Sequence, residues 1–254
     1  MNWLRRLSVA DYLTMSNAVL GFLAITFIID GNLATASVLI LVAVIVDGLD
    51  GWAARRFGTT HSRGAALDSV ADAISFCFAP ALILYTEFYD PALGTAWVSL
   101  PNALAVIAAT LVAIFGVARL ARFVEADHEK PEFVGLPTPA NALFLVGMVQ
   151  LLGSGGLLAS QGILVLGSSL LTSFLMISDV PYPKVGDGAR LLGTAAAAVF
   201  ASLLLAAAFY QGSTNVPSLV LYAFVLSLSL AYIIGGPIYV RERSREEMVP
   251  LHGR

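Results

Sequence analysis

Long apolar segments separated by short polar connections make up most of this chain. Eight of them are predicted to be membrane-spanning helices, at residues 14–30, 33–57, 62–86, 99–124, 137–154, 158–176, 188–211 and 216–239. A helix needs about 20 residues to cross about 30 Å of hydrocarbon. Only 12% of the 254 residues are charged, too few to cover a soluble protein of this size. The sequence therefore predicts an all-α polytopic membrane protein with a single domain over 1–254, and argues against a nucleic-acid-binding or disordered chain.

Two parts of this topology are open to alternatives. The fifth and sixth segments are short and are interrupted by Gly153, Gly155 and Gly156, so residues 137–176 could form one kinked helix instead of two spans. Residues 1–13 alternate apolar and charged side chains at helical spacing, which predicts a short amphipathic helix in the membrane interface. The alternative for that segment is a frayed terminus.

The distribution of basic residues predicts the orientation of the chain. With the N-terminus in the cytosol and eight spans, all fourteen Lys and Arg residues fall on the inner side, as the positive-inside rule requires. Merging the fifth and sixth segments would place Lys184 and the basic tail 240–254 on the outer side, opposite the other basic residues. We therefore expect both termini in the cytosol, with the tail against anionic headgroups or in solvent.

Four aspartates lie in the second and third apolar segments, where ionisable side chains are costly and usually mark a functional site. Asp47 and Asp50 are three residues apart, and Asp68 and Asp72 are four apart, so each pair shares one helix face. A short connection joins the two helices antiparallel, and the four carboxylates can meet at one depth. Such a cluster needs cations to stay ionised, and oxygen ligands favour Mg²⁺, Mn²⁺ or Ca²⁺.

Small residues and one arginine accompany these aspartates. Gly51, Ala54 and Gly64 would let a ligand approach the helices closely, and the guanidinium of Arg55 suits a phosphate group. The alternative is that Asp–Arg pairs only hold the helices together. Four aspartates at these spacings favour a ligand site.

The pattern D-x-x-D-G-x-x-A-R followed by G-x-x-x-D-x-x-x-D resembles the signature of the CDP-alcohol phosphotransferase family. It occurs here at Asp47, Asp50, Gly51, Ala54, Arg55, Gly64, Asp68 and Asp72. The resemblance implies that the four aspartates bind two divalent ions, Mg²⁺ or Mn²⁺, and that Asp72 is the general base. It also implies that the glycines, Ala54 and Arg55 line the pocket for a CDP-lipid, that CMP is released, and that the protein is a homodimer. Asn17 and Gly21 of the first span could touch the CDP-lipid or only pack against other helices.

Three further segments are similar to the serine branch of this family, the type II phosphatidylserine synthases. They are residues 74–81, 118–123 and 133–140. Cys77 and Val124 depart from the branch pattern, where Gly and Asn are common. The resemblance implies L-serine as the acceptor, with CDP-diacylglycerol or CDP-archaeol as the lipid donor. The alternative is a glycerol-phosphate or inositol-phosphate transferase, whose acceptors would call for more basic residues.

The acceptor pocket is predicted at four residues outside the signature. Arg119 and Arg122, three residues apart near the end of the fourth span, could bind a serine carboxylate or a lipid phosphate, or could only anchor the helix at the interface. Gly135 and Pro137 could line the same pocket or only shape the loop.

Two functions other than an enzyme are alternatives: a transporter and a non-catalytic lipid-binding protein. A transporter would more often show broken helices in both halves.

Overall fold

The computed structural model describes residues 8–57, 62–125, 132–153, 160–183 and 216–248. The helices in these ranges are α1 (Val9–Ile29), α2 (Leu33–Phe57), α3 (Ser62–Asp72), α4 (Ala79–Phe88), α5 (Leu100–Glu125), α6 (Thr138–Leu152), α7 (Ser160–Ile177) and α8 (Val216–Met248). A π-helical segment, Ala73–Phe78, joins α3 to α4, and a 3₁₀ turn forms at Pro91–Leu93. Two short strands, β1 (Glu132–Val134) and β2 (Pro181–Pro183), pair antiparallel.

Five helical stretches within the described ranges are long and apolar enough to cross a membrane. They are Val9–Ile29, Leu33–Ala53, Gly64–Phe88, Leu100–Val124 and Ser218–Ser244. The prediction of an all-α membrane protein is therefore confirmed. The predicted number of eight spans is not confirmed. Helices α6 and α7 are apolar but shorter and pack against each other, and the predicted span 188–211 lies outside the described residues.

The first span begins at Val9, earlier than predicted. Ser8 caps α1 through a capping box, in which the Asp11 backbone N–H donates to Ser8 Oγ (3.2 Å) and the Ser8 backbone N–H donates to the Asp11 carboxylate (2.7 Å). Residues 9–13 of the predicted interfacial helix thus belong to the spanning helix. Residues 1–7 lie outside the described residues, so the interfacial helix is not confirmed.

Close helix packing surrounds the π-helical segment. Gly21 of α1 faces Ser75 so closely that a Cβ at Gly21 would lie 2.7 Å from the Ser75 Cα. On the other side, a Cβ at Gly116 of α5 would lie 2.5 Å from the Cys77 Sγ. Both glycines allow backbone approach that any larger residue would prevent. This packing places the last residue of α3 beside α1 and near α5.

The paired strands β1 and β2, which we call the strap, join the start of α6 to the end of α7 and contact α8. Tyr182 in β2 is 1% exposed and stacks on Tyr232 of α8, with ring centroids 5.6 Å apart. The Tyr232 hydroxyl donates to the Pro183 carbonyl (3.0 Å). Gly135, just after β1, has φ +80° and no room for a Cβ against the Met176 carbonyl. The strap therefore fixes where α6 begins, next to the end of α5.

Candidate active site

Three carboxylates from two helices converge in the acidic cluster, which we define as Asp47, Asp50 and Asp68. One carboxylate oxygen from each lies within 4.8 Å of the others. Asp50 is buried, whereas Asp47 and Asp68 are half-buried. Three oxygen donors at this spacing match the ligand set of a hard divalent cation. The predicted convergence of α2 and α3 carboxylates is thus present in the fold, and its donor set fits a metal ion.

Asp72 lies beside this cluster and differs in its partners. It is 6% exposed and interacts electrostatically with Asp47 and Asp68. The Asn17 side-chain amide donates to Asp72 Oδ1 (3.1 Å), and the Asn17 backbone carbonyl accepts from Ser75 Oγ (2.9 Å). Asn17 therefore links α1 to the carboxylate and to the π-helical segment that follows it, which fixes the position of Asp72.

Thr14 is a site residue that the sequence did not single out. Its hydroxyl donates to Asp50 Oδ2 (2.8 Å) and is also within hydrogen-bonding distance of the Ala10 carbonyl (3.0 Å). Thr14 and Asn17 are three residues apart on one face of α1. Two polar side chains at that spacing in a largely apolar span were the available signal, because such residues tend to face the protein interior rather than lipid.

The two arginines of α5 have different surroundings. Arg119 is 6% exposed, interacts electrostatically with Asp72 and Asp47, and donates to Thr138 Oγ1 (3.4 Å). Its guanidinium also lies over the rings of Phe123 and Phe133 at 5.5 and 5.8 Å. These aromatic and electrostatic contacts hold the guanidinium on the side of α5 that faces the aspartates.

Arg122 faces the loop that follows α7. It forms an ion pair with Asp179 (2.9 Å) and donates to the Ile177 carbonyl (3.0 Å). Its side chain is 38% exposed. The structure therefore places only Arg119, of the two predicted candidates, beside the acidic cluster.

The remaining predicted site residues divide between the cluster and the strap. Gly51 follows Asp50 in α2, and Gly64 begins the α3 face that carries Asp68. Ala54 and Arg55 lie in α2, but their side chains are outside the described part of the chain. Gly135 and Pro137 act in the backbone: the Gly135 N–H donates to the Val180 carbonyl (2.9 Å) and Pro137 is the N-cap residue of α6. Both residues therefore shape the backbone between β1 and α6.

Comparison with known proteins gives one consistent result. A family model described as CDP-alcohol phosphatidyltransferase matches residues 7–175. A protein of Methanocaldococcus jannaschii named CDP-diacylglycerol–serine O-phosphatidyltransferase is 39% identical over 178 residues, which cover 70% of this chain and 75% of the relative. A Methanothermobacter thermautotrophicus protein named archaetidylserine synthase is 35% identical over 184 residues, 72% of each chain. A Mycobacterium tuberculosis protein with the first of these names is 30% identical over 243 residues, 91% of this chain and 77% of the relative.

Proposed function

Since this chain belongs to the CDP-alcohol phosphatidyltransferase family, we propose that it transfers a phosphatidyl-type group from a CDP-lipid to the hydroxyl of L-serine and releases CMP. The observation that carries the proposal is the acidic cluster with Asp72 and Arg119 beside it. The names of the relatives support serine as the acceptor. They also leave CDP-diacylglycerol and CDP-archaeol as the two donor lipids to compare.

The donor set of the acidic cluster suits Mg²⁺ or Mn²⁺. Asp47, Asp50 and Asp68 would hold a divalent ion. The family resemblance implies a second ion, which Asp72 would help to hold. Bound there, such ions neutralise negative charge on the diphosphate and on the departing CMP. Thr14 holds the Asp50 carboxylate in place through its hydroxyl, which keeps one ligand oriented before an ion binds.

Asp72 is the proposed general base. Its carboxylate removes the proton from the serine hydroxyl, and that oxygen attacks the β-phosphorus of the CDP-lipid. A new P–O bond forms to serine, and the bond to the CMP oxygen breaks. The Asn17 amide donates to Asp72 Oδ1 and so stabilises the charged carboxylate that accepts the proton.

Arg119 is the proposed partner of the serine carboxylate. A guanidinium can bind a carboxylate through two parallel hydrogen bonds, which a lysine cannot reproduce. Arg119 is buried beside Asp72, so the bound acceptor would present its hydroxyl near the base. Arg122 is already paired with Asp179, and we assign it a role in holding α5 against the end of α7.

The donor pocket is proposed to include Gly51, Ala54, Arg55 and Gly64, as the family resemblance implies, and Asn17 of α1 as a further candidate. Gly64 has open space at its Cβ position, with the Asp11 carboxylate 3.8 Å away as the nearest neighbour. A glycine here would leave room for the nucleotide.

We also propose that the site opens to the cytosol and that two copies form a homodimer. The inward position predicted for all fourteen basic residues supports the first of these.

An acceptor screen tests the proposal. Purified protein is given CDP-diacylglycerol or CDP-archaeol with Mg²⁺ or Mn²⁺, and CMP release is measured with L-serine, glycerol 3-phosphate or inositol phosphate. We expect CMP release that depends on L-serine. Turnover only with glycerol 3-phosphate or inositol phosphate would rule out serine but keep the family assignment. CDP-lipid binding without CMP release would leave only a lipid-binding role.

A further inference from the structure

A fully buried amide near the start of α6 has no protein partner among the described residues. Asn141 is 0% exposed, and neither its side-chain nitrogen nor its side-chain oxygen has a hydrogen-bond partner there. Buried amides normally satisfy both atoms, because an unpaired polar group in an apolar interior lowers stability. Asn102 shows the usual pattern: it is equally buried, and its amide bonds to Asp90 and Gly94 three times.

The position of Asn141 connects it to Arg119. Asn141 follows Thr138 by three residues, so the two side chains project from neighbouring positions on one face of α6. Thr138 is also fully buried, and its hydroxyl accepts from the Arg119 guanidinium. Helix α6 packs against α5 and against the π-helical segment that follows Asp72. We call Arg119, Thr138 and Asn141 the buried polar group.

The chemistry of the buried polar group selects one class of ligand. Arg119 supplies donors and a positive charge, and Asn141 supplies one acceptor oxygen and one amide N–H₂ donor. A zwitterionic amino acid matches both, because it carries a carboxylate and an ammonium on one carbon. A phosphate group offers mainly acceptors, so a phosphorylated acceptor would leave the Asn141 oxygen unpaired in a buried site.

We infer that Asn141 is a specificity-determining residue for the acceptor: its Oδ1 accepts from the ammonium of the amino acid, and its Nδ2 donates to the carboxylate beside Arg119. This inference rests on the proposed serine transfer and deepens it. It assigns to Asn141 the distinction between an amino-acid alcohol and other alcohols. It also accounts for a buried amide that has no partner within the described ranges.

The test is the Asn141→Leu variant, which keeps similar side-chain volume and removes both polar atoms. With CDP-lipid saturating, we expect the KM for L-serine to rise about 10-fold or more, while kcat falls less. The unfolding temperature in detergent should stay the same or rise, since the variant removes an unpaired buried polar group. Asn141→Ala avoids any steric conflict of the larger side chain and should give the same increase in KM.

A matched control is Asn102→Leu, the same exchange at an equally buried position. Asn102 lies about 26 Å from Arg119 along α5. It removes three hydrogen bonds, so its unfolding temperature should fall while its serine KM stays unchanged.

A second experiment compares acceptors: 3-hydroxypropanoate, which lacks the ammonium, should react more poorly than serine with the wild type. That difference should shrink in Asn141→Leu.

An unchanged serine KM in both Asn141 variants would overturn the inference. So would a fall in unfolding temperature with an unchanged KM, because that result assigns the amide a structural role alone. A wild-type protein that does not use L-serine at all would instead contradict the proposed function. The two failures are therefore separated by the wild-type measurement.

Discussion

Asp72 and the acidic cluster are four similar carboxylates with different partners. Asp47, Asp50 and Asp68 face one another closely, whereas the amide of Asn17 holds Asp72. This difference supports a division of labour in which Asp47, Asp50 and Asp68 mainly hold cations, and Asp72 also removes a proton. Replacing single residues with their amides separates the two roles, because Asn is nearly isosteric with Asp but is neither a base nor a charged ligand.

For Asp72→Asn, we expect turnover to fall by about 10²–10⁴-fold, the usual contribution of a general base. CDP-lipid binding should survive better in this variant than in Asp47→Asn or Asp68→Asn, which lose a charged ligand. Single-turnover CMP release and equilibrium binding of CDP-lipid measure the two quantities. Equal loss of CDP-lipid affinity in all three variants, with turnover at saturation preserved in Asp72→Asn, would contradict the assignment of the base.

The two arginines of α5 provide a second comparison at the residue scale. Arg119→Lys should raise the serine KM about 10-fold or more, because a lysine cannot make the bidentate contact with the carboxylate. Arg122→Lys is the matched control, and it should leave the serine KM nearly unchanged since Arg122 is paired with Asp179. Titrating each substrate at saturation of the other gives both constants. A larger effect in Arg122→Lys would reverse our choice between the two arginines.

At the scale of elements, the contact between α1 and the π-helical segment is the one that positions Asn17 and Asp72. Gly21→Ala would place a Cβ against the Ser75 backbone, so we expect a loss of about 1–3 kcal/mol of stability. Gly167→Ala, which has open space at its Cβ, is the control and should be neutral or stabilising. Thermal unfolding in detergent measures both. Equal unfolding temperatures for the two variants would contradict the close packing described at Ser75.

The sequence predicted the helices better than it predicted the connections between them. Runs of apolar residues mark spans directly, and the spacing of Asp47, Asp50, Asp68 and Asp72 was enough to predict a shared site. The π-helical segment and the strap were not predicted, because both depend on contacts between distant residues, such as Tyr182 with Tyr232. Asn141 was missed for the same reason: its sequence neighbours do not show that both amide atoms lack partners.

At the scale of the whole molecule, the orientation in the membrane remains a prediction from charge. Single cysteines at Asp30 and Asp90 should react with an impermeant thiol reagent from outside. A cysteine at Lys184, which lies beyond the described ranges, should react only from inside. The native Cys77 is buried and should give little background. Labelling of the Lys184 position from outside would require seven spans, and the C-terminal tail would then also lie outside.

We propose that a metal-dependent site in this protein joins serine to a CDP-lipid. The most direct measurement follows labelled L-serine into the lipid fraction while CMP is counted, with purified protein, CDP-lipid and Mg²⁺ or Mn²⁺. We expect one labelled lipid for each CMP released, and loss of both products when EDTA removes the divalent ions. CMP release without serine in the lipid, or full transfer in EDTA, would contradict it.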